Sequence, residues 1–257
     1  MNSPPKISVV IPTCDRPDLL KECLKSVYSQ TVKPTEVVIV DNGIKSVSID
    51  GLSNDIRLIR LPPKVGASKA RNSGVESAKG DYVAFLDDDD KWDINYLNEI
   101  KKKILSSEQK PDLIIARKDI VVDGVQKKYK CIENVDNIYP VILHSNVGIG
   151  GQNIVVKRES FIAIGGFDPD LVTSEDRALF IEFMLAGKEI LVAPDAVVII
   201  DRSPGERLTN AKNMVIGRTV FYRRYNHLMS LKIRILNKYK IYKYKIYSYI
   251  HEFKINR

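Results

Sequence analysis

The first 105 residues alternate short apolar runs with helical patterns, and this alternation limits the fold more than any other feature. The apolar runs are ISVVIP from Ile7, EVVIV from Glu36, RLIRL from Arg57 and YVAFL from Tyr82. After the first, third and fourth runs, apolar or small residues recur with the spacing of a helix. Strands that are apolar throughout are buried on both faces. The pattern predicts an α/β fold, a mostly parallel sheet with helices on both faces.

The second half of the chain is more mixed. Leu113 to Lys130 predicts two strands joined at Asp123-Gly124, a hairpin turn pair. Ser174 to Ala186 has a helical pattern that Gly187 closes. Short strands are predicted at Ile154 to Val156, Ile190 to Val192 and Val197 to Ile200.

The positive charge of the chain is concentrated at its C-terminal end. The 257 residues carry a net charge of +8 and are 44% apolar, enough for one large domain or one domain with an appendage. Residues 218–257 contain 11 Lys and Arg and one acid, a net +10, whereas residues 1–217 carry −2. We therefore predict one domain over residues 1–217 and a basic, Tyr-rich helical segment over residues 218–257.

Cysteine usage and hydropathy bear on the cellular compartment. Cys14, Cys23 and Cys131 form no CxxC pair, which predicts reduced thiols in a cytosol and no zinc site. The apolar run Ile7 to Ile11 is too short for a signal peptide. No stretch approaches the roughly 20 apolar residues of a membrane-spanning helix. The pattern predicts a cytoplasmic protein.

Four consecutive carboxylates, Asp87 to Asp90, end the fourth apolar run. Like charges about 4 Å apart repel by roughly 1 kcal/mol in water and about 4 kcal/mol at a protein-like dielectric, so the cluster needs a compensating charge. Alternation along an extended chain puts Asp87 and Asp89 on one side, where they could share Mg²⁺ or Mn²⁺ with a diphosphate. The alternative, Asp90 as the N-cap of a helix with Asp93 three residues on, leaves the first three carboxylates unexplained.

Polar residues also end the other predicted strands. Ligands in parallel α/β sheets bind at the carboxyl ends of the strands. Thr13, Asp41 and the acidic cluster all fall there. We expect one site at this edge of the sheet.

Five motifs stand in order along the chain: VVIPTCDRPDLLKECLKSVYSQT, VVIVDNG, GASKARNSG, GDYVAFLDDDD and GGFDPDLVTSEDRALF. Together they resemble the family-two inverting glycosyltransferases of the GT-A fold, the type that builds bacterial polysaccharides and O-antigens. The resemblance covers roughly residues 6 to 200. It implies a nucleotide-sugar donor, most often a UDP sugar, bound by residues 1–105 and an acceptor bound by residues 106–217.

The resemblance assigns residues to the donor nucleoside. It implies that Thr13 and Asp41 line the nucleoside pocket and that Arg71 faces the base or the diphosphate. Two alternatives stay open: Asp41 as a turn residue with Asn42 and Gly43, and Arg71 as a solvated helix charge.

The resemblance also matches Asp87 to Asp89 to the DXD motif. It implies that Asp89, together with Asp87, holds the metal and that Asp87 or Asp88 contacts the ribose. Mn²⁺ or Mg²⁺ is the implied cofactor.

A base follows from the reaction that the resemblance implies. Inverting transfer needs a carboxylate that takes the proton of an acceptor hydroxyl. The segment SED, Ser174 to Asp176, resembles the ED motif of the family and implies Asp176 as base with Glu175 as its neighbour. The alternative is a helix start, with Ser174 as cap and two acids in the first turn.

Two glycine-rich segments accompany this motif. Gly165, Gly166 and Phe167 precede it and predict a close approach of the backbone. His144 to Gln152 is a candidate acceptor-facing loop, although its glycines are also compatible with an ordinary loop.

One segment departs from the family pattern. Many relatives carry a histidine in the part that corresponds to DRSPGERLTN, which begins at Asp201, and this chain has none there. Arg202 or Arg207 is a candidate to face the diphosphate instead.

The basic tail has an amphipathic pattern. On a helix, its apolar and aromatic residues fall in a stripe about 80° wide with cations beside it. This pattern is typical of an interfacial helix on an anionic bilayer. The alternatives are a terminal helix that packs its stripe on the domain and a nucleic-acid arm. The stripe consists of Leu228, Leu231, Ile235, Tyr239, Tyr242, Ile246, Tyr249 and Phe253.

These observations lead to one functional hypothesis. We expect an inverting, metal-dependent transferase that moves a hexose, glucose or galactose, from UDP to a hydroxyl of a lipid-diphosphate-linked sugar in surface polysaccharide synthesis. It would be peripheral on the inner face of the plasma membrane, with no nucleic-acid partner. The alternatives are a non-catalytic nucleotide- or sugar-binding module and a phosphatase of the haloacid dehalogenase type, whose acid pair Asp87-Asp88-Asp89 imitates.

Overall fold

A computed structural model describes residues 4–49, 55–122, 124–129, 132–201 and 211–255. The strands are β1 (Ile7–Thr13), β2 (Glu36–Asp41), β3 (Ile56–Arg60), β4 (Tyr82–Phe85), β5 (Asp90–Trp92), β6 (Leu113–Val122), β7 (Val125–Tyr129), β8 (Ile154–Lys157) and β9 (Ile190–Asp201). The α-helices are α1 (Pro17–Tyr28), α2 (Ala67–Ser77), α3 (Tyr96–Ser106), α4 (Arg158–Ala163), α5 (Glu175–Leu185), α6 (Ala211–Tyr225) and α7 (Leu231–Ile255).

The first four strands form the parallel half of one sheet, as their apolar runs predict. They lie in the order β3-β2-β1-β4, and each adjacent pair is parallel. The chain moves outward from β1 to β3 and then returns to β4 on the other side of β1. Such a reversal marks the ligand crevice of an α/β sheet, at the carboxyl ends of β1 and β4. Thr13 and the acidic cluster therefore lie at the expected place.

The second half of the sheet is mixed. Beyond β4 the order continues β8-β6-β9-β5, and β6 also forms the predicted hairpin with β7. The strands predicted at 190–192 and 197–200 are one strand, β9, whose register against β6 shifts between Ala116 and Arg117. Pro194 lies within this bulge, where the N–H that proline lacks is not needed.

Helices cover both faces of the sheet, which confirms the predicted fold class. Val9 and Ile11 of β1 belong to a core shared with α1 and α3. Val10, between them, belongs to a second core shared with α2, α5 and α6. Alternate side chains of a strand point to opposite faces, so a strand apolar throughout supplies both cores.

The C-terminal segment is helical, as predicted. Helix α6 runs through residue 217 and buries Phe221 and Tyr225 in the core that it shares with α2 and α5. Helix α7 packs against α6. The division of the chain at residue 217 stays a prediction.

The expectation that Asp90 caps a helix is wrong. Asp90 begins β5 and pairs with Ile200, whereas α3 begins at Tyr96 with Asn95 as its N-cap residue. The Asp90 N–H donates to the carbonyl oxygen of Asp87 at 3.1 Å. This hydrogen bond closes a turn, so the four carboxylates do not alternate along an extended chain.

The sequence predicts reduced thiols and no membrane-spanning helix. Across the residues that the structure covers, no helix is both long and apolar enough to span a bilayer. Cys14 and Cys23 are free thiols. Cys131 lies outside the described residues.

Candidate active site

A buried guanidinium joins the two acidic motifs of the chain. Arg71, on α2, is only 4% exposed. Its Nη2 donates to Asp87 Oδ1 at 2.6 Å, and its Nη1 donates to Glu175 Oε1 at 3.2 Å, a residue 104 positions away. The alternative that Arg71 is a solvated helix charge is therefore wrong. Its predicted contact with the donor stays a prediction.

Close approaches by two glycines position this guanidinium. A Cβ on Gly74 would lie 2.4 Å from Val10 Cγ1, so α2 packs tightly on the sheet, as its small residues predict. A Cβ on Gly151 would lie 2.4 Å from Arg71 Cζ. Since Cβ atoms do not approach other heavy atoms so closely, both positions need glycine.

Three of the four clustered carboxylates converge. Asp87, Asp89 and Asp90 can each direct an oxygen into a group whose atoms lie within 4.8 Å of one another. Carboxylate oxygens are preferred ligands of Mg²⁺ and Mn²⁺, and Asp89 is exposed while Asp90 is buried. The donor set therefore fits a hard divalent cation with one side open to solvent. The structure brings the predicted ligands Asp87 and Asp89 together and adds Asp90.

From the sequence, Asp90 was expected only as a helix cap, so it was missed as a candidate ligand. The turn between Asp87 and Asp90 explains why. A turn closed by a hydrogen bond from residue i+3 to residue i brings the two ends near each other. In the sequence, the run of four acids is the only pattern that indicates this turn.

Asp88 points away from this group. It is buried, accepts a hydrogen bond from Thr13 Oγ1 at 2.8 Å and lies 3.3 Å from Arg16 Nη1. Burial raises the pKa of Asp88 to about 6, although Thr13 and Arg16 both act to lower it. The ribose contact predicted for Asp88 stays a prediction.

Protein cations supply part of the compensating charge that the sequence analysis assigned to a divalent ion. Arg16 Nη1 also lies 3.2 Å from Asp89 Oδ2, and Arg71 pairs with Asp87. A third cation, Lys118 of β6, is buried, and burial lowers its pKa while Asp176 and other nearby acids oppose that shift. Neither Arg16 nor Lys118 was predicted from the sequence as a site residue.

Thr13 and Asp41 are paired neighbours at the carboxyl ends of β1 and β2. Both are buried. Asp41 accepts hydrogen bonds from the N–H groups of Gly43 at 2.8 Å and Val47 at 2.9 Å, and it forms an ion pair with Arg60. These contacts match the alternative of a turn residue. The nucleoside role of Thr13 and Asp41 stays a prediction.

Asp176 lies in the first turn of α5 and is buried. Its Oδ2 accepts a hydrogen bond from Asn146 Nδ2 at 3.0 Å, and its Oδ1 accepts one from the Arg177 N–H at 2.8 Å. Burial raises the pKa of Asp176, and Lys118 is the strongest opposing influence. The structure thus brings a residue of the predicted acceptor loop, Asn146, onto the predicted base.

Glu175 is next to Asp176 in the chain and pairs with Arg71. Burial raises the pKa of Glu175 to about 7, the negative charge of Asp176 adds to the increase, and Arg71 opposes it. Glu175 is partly exposed and Asp176 is buried. Two adjacent carboxyl groups with raised pKa values are typical of a functional site.

Ser174 does not cap α5 as the alternative interpretation expects. Its side chain makes no capping hydrogen bond, and its Oγ instead accepts a weak hydrogen bond from Arg177 Nη1 at 3.4 Å. Its φ of 73° is left-handed, a conformation that costs a non-glycine residue of order 1–3 kcal/mol and is enriched at functional sites.

The GGF segment makes the close approach that its glycines predict. Gly166 has a φ of 71°, and a Cβ there would lie 2.9 Å from Asn72 Oδ1. Asn72 Nδ2 donates to the Phe167 carbonyl at 2.8 Å, and the Phe167 N–H donates to Asn72 Oδ1 at 2.9 Å. The amide of Asn72 thereby ties α2 to the segment before the predicted base.

The candidate diphosphate contacts follow β9 in the chain. Arg202 and Arg207 lie outside the described residues.

Comparison with known sequences places this site in a family context. The model of Glycosyl transferase family 2 matches residues 8–164, more than half of the chain. An uncharacterized glycosyltransferase of Haemophilus influenzae is 32% identical over 177 residues, 66% of this chain and 59% of that protein. The GalNAc(5)-diNAcBac-PP-undecaprenol beta-1,3-glucosyltransferase of Campylobacter jejuni is 33% identical over 105 residues, 38% of this chain and 34% of that protein. The chain thus spans less than two thirds of either relative.

Comparison with solved structures bears on the fold. The crystal structure of S. aureus TarS 1-349 in complex with UDP-GlcNAc superposes with a TM-score of 0.69, covering 93% of this chain and 71% of that one at 18% sequence identity. At this identity the likeness is one of fold. It confirms the GT-A fold that the motifs imply.

Proposed function

This chain belongs to glycosyl transferase family 2, and from that premise we propose that it is an inverting, metal-dependent hexosyltransferase. It moves glucose or galactose from a UDP sugar to a hydroxyl of a lipid-diphosphate-linked sugar in surface polysaccharide synthesis. The observation that carries the proposal is the bridge from Arg71 to Asp87 and Glu175. It ties the acidic cluster proposed to hold the metal to the neighbour of the proposed base, Asp176. The similarity to an enzyme named for an undecaprenol-linked glycan and to a fold bound to UDP-GlcNAc supports these substrate classes.

The donor diphosphate would meet the acidic cluster. Asp87, Asp89 and Asp90 would hold Mn²⁺ or Mg²⁺, which, when bound, stabilises the negative charge that develops on the leaving diphosphate. Arg16, which pairs with Asp89, adds positive charge beside this cluster. Thr13 and Asp41, together with Asp88, would line the nucleoside side of the site.

Asp176 would act as the base. Its carboxylate takes the proton of the acceptor hydroxyl while that oxygen bonds to the anomeric carbon and the diphosphate leaves from the opposite side, which inverts the configuration. Asn146 holds the carboxylate in one orientation through its hydrogen bond to Oδ2. The raised pKa of Asp176 strengthens it as a base, and Lys118 keeps it deprotonated over a wider pH range.

Replacing Asp176 tests the base. We expect Asp176→Asn to lower the transfer rate by about 10²- to 10⁴-fold and to keep UDP-sugar binding, because only the proton acceptor is lost. Asp170→Asn, an exposed acid six residues earlier, is the matched control. The assay offers UDP-glucose and UDP-galactose with a lipid-diphosphate-linked sugar and reads product mass and anomeric configuration. Unchanged transfer in Asp176→Asn contradicts the assignment, and donor binding without transfer by the parent chain favours a non-catalytic module.

Removing divalent cations tests the metal. We expect EDTA to abolish transfer and added Mn²⁺ or Mg²⁺ to restore it. Asp89→Asn should raise the cation concentration needed for half-maximal rate, whereas Asp18→Asn, an exposed acid on α1, should not. Transfer that continues at the same rate in EDTA would show that the metal assignment is wrong.

A further inference from the structure

Helix α7 has one face that packs against the rest of the chain. Ile233 and Asn237 on this face are buried. Asn237 Nδ2 donates to the Leu143 carbonyl at 3.0 Å. Lys240 Nζ lies 2.7 Å from the His144 carbonyl oxygen. This inner face therefore fixes α7 against the beginning of the predicted acceptor loop.

The opposite face of α7, which we call the outer face, is apolar and exposed. Its large side chains are between 42% and 74% exposed, although they share one stripe of the helix. Positions 231 to 249 span about 27 Å at 1.5 Å per residue. A continuous exposed apolar patch rimmed by polar residues marks an interaction surface. The outer face consists of Leu231, Ile235, Tyr239, Tyr242, Ile246 and Tyr249.

For residues 231–249, this exposure overturns one of the sequence alternatives, whereas Leu228 of the predicted stripe packs partly against the core. A terminal helix that packs its apolar stripe on the domain would bury these residues. The helix instead buries the side around Ile233 and Asn237, roughly 180° away at 100° per residue.

Exposed lysines border the outer face on both sides. At 100° per residue, Lys232 and Lys243 lie along one edge of the stripe, and Lys238 and Lys245 lie along the other. A second copy of the chain packed on this stripe would bring these like charges together. A nucleic acid would match the charges and leave the apolar stripe in water. A surface with an apolar interior and anionic head groups matches both.

We propose that the outer face of α7 lies on an anionic lipid bilayer, with its apolar stripe in the head-group region and its lysines beside lipid phosphates. Interfacial helices bind through buried apolar area together with attraction to anionic lipids. Each lysine near such a surface adds to the binding. The surface would be the inner face of the plasma membrane.

Docking in this way would bring the membrane near the candidate base. The inner face holds residues 143–145, and the next residue, Asn146, donates to Asp176. A lipid-linked acceptor would then reach the base without leaving the bilayer. This second step rests on the proposed function, whereas the docking itself does not.

Vesicle sedimentation with the full chain tests the docking. We expect binding to vesicles of phosphatidylcholine mixed with phosphatidylglycerol and little binding to phosphatidylcholine alone. The triple variant Ile235→Ser, Tyr239→Ser, Tyr242→Ser should lower the partition coefficient by more than about tenfold, because it removes half of the apolar stripe. Full-chain variants are needed, because cutting the chain after Gly217 would remove Phe221 and Tyr225 from the core.

A matched triple variant controls for the loss of exposed apolar surface. Ile94→Ser, Leu105→Ser, Val125→Ser alters side chains that are 51%, 55% and 54% exposed elsewhere in the chain. We expect it to bind vesicles as the parent does. Circular dichroism should show both triple variants folded, since the replaced side chains are exposed.

Replacing lysines tests the contribution of charge to vesicle binding separately from that of the apolar stripe. Lys238→Gln, Lys243→Gln, Lys245→Gln should lower binding to the anionic vesicles by up to roughly 100-fold at low salt. Lys110→Gln, Lys127→Gln, Lys128→Gln replaces three exposed lysines outside α7 and should have little effect.

Three outcomes would overturn the docking. One is a parent chain that stays in the supernatant with anionic vesicles. The second is equal loss of binding in the stripe and control variants. The third is a parent that forms a dimer by light scattering, binds no vesicles and becomes monomeric in the stripe variant, which would make a second copy the occupant.

A transfer assay separates this inference from the proposed function. The stripe variant should lose transfer to a vesicle-embedded, lipid-diphosphate-linked sugar and keep its rate with a water-soluble analogue of that sugar. Equal transfer to the embedded acceptor by parent and stripe variant would refute the link between docking and acceptor delivery. If neither acceptor is used by any variant, the proposed function fails while the sedimentation result stands.

Discussion

The acidic site and the outer face of α7 use charge in opposite ways. At the site, the carboxylates of Asp87 and Glu175 are held by one buried guanidinium at fixed distances. On α7, exposed lysines border an apolar stripe, and Lys238 and Lys243 lie over the rings of Tyr222 and Tyr247 at 6.0 Å and 5.6 Å from the ring centroids. Buried ion pairs are strong only with good geometry, and exposed charges act through long-range, screened attraction. The first arrangement suits positioning of reacting groups, and the second suits a broad surface.

The largest expected effect comes from removing the buried guanidinium. Arg71→Met leaves Asp87 and Glu175 without their shared partner, and breaking a buried pair in this way costs about 3–5 kcal/mol. Denaturant unfolding measures the loss. Lys25→Met, which removes the cation of an exposed pair on α1, is the control and should leave the midpoint unchanged. Equal midpoints for parent and Arg71→Met would mean that this pair does not hold the site together.

Crowding the same guanidinium should have a smaller effect. Gly151→Ala places a Cβ 2.4 Å from Arg71 Cζ, and forcing extra atoms into a packed interior costs about 1–3 kcal/mol. In the Arg71→Met background the fixed guanidinium is gone, so the same substitution should cost less. A double-mutant cycle on the free energy of unfolding measures this coupling. Strictly additive effects would contradict the contact.

The third prediction concerns the pH dependence of transfer. A base works when deprotonated, so the rate should rise as the pH passes upward through the raised pKa of Asp176. Lys118 is the strongest influence that lowers this pKa. Lys118→Met should therefore raise the pKa of Asp176 further and move the acidic limb of the pH profile of kcat/KM to higher pH.

Two variants control this measurement. Lys118→Arg keeps the charge and should leave the limb in place. Arg117→Met removes the neighbouring cation of β6, which pairs with Asp119, and should also leave it in place. A limb that does not move in Lys118→Met would show that Asp176 is not the group that titrates.

The smallest expected effect is that of salt, which should weaken vesicle binding through α7 and leave the stability contributed by Arg71 nearly unchanged. The screening length falls from about 10 Å at 0.1 M to about 3 Å at 1 M ionic strength. Vesicle binding through the outer face of α7 should weaken several-fold over this range. The stability difference between the parent and Arg71→Met should stay nearly constant, since the guanidinium is buried. Vesicle binding that is independent of salt would show that the lysines of α7 do not contribute to the docking.

Much of the fold was predictable because its local patterns agree with its tertiary arrangement. The apolar runs of β1, β2 and β4 are buried on both faces, as a parallel sheet requires. The hairpin β6–β7 follows its turn residues. The short strand β5 was missed, because three residues within an acidic and polar stretch carry no periodicity. The division of β9 into two strands was wrong, because the bulge at Pro194 interrupts the pattern and not the strand.

The candidate site was predictable only in part. Asp87, Asp89 and Asp176 stand in ordered motifs that a sequence displays directly. Asn146 lies in a glycine-rich loop that the sequence marks only as a candidate, and Lys118 stands in no motif. Both reach the site because β8 pairs with β4 and with β6, which joins β6 and the loop before β8 to the parallel half of the sheet. Contacts between residues so far apart along the chain leave no local pattern.

The sequence by itself determined the alternation of strands and helices in the first half of the chain, the acidic motifs and the residues that share a stripe on α7, because each follows from a backbone period or a local run. Only the tertiary structure decided which acids converge, since a turn carries Asp90 back to Asp87. Only the tertiary structure decided which face of α7 meets solvent. A helical period fixes which side chains lie together, and the surroundings of the helix determine which of its faces is buried.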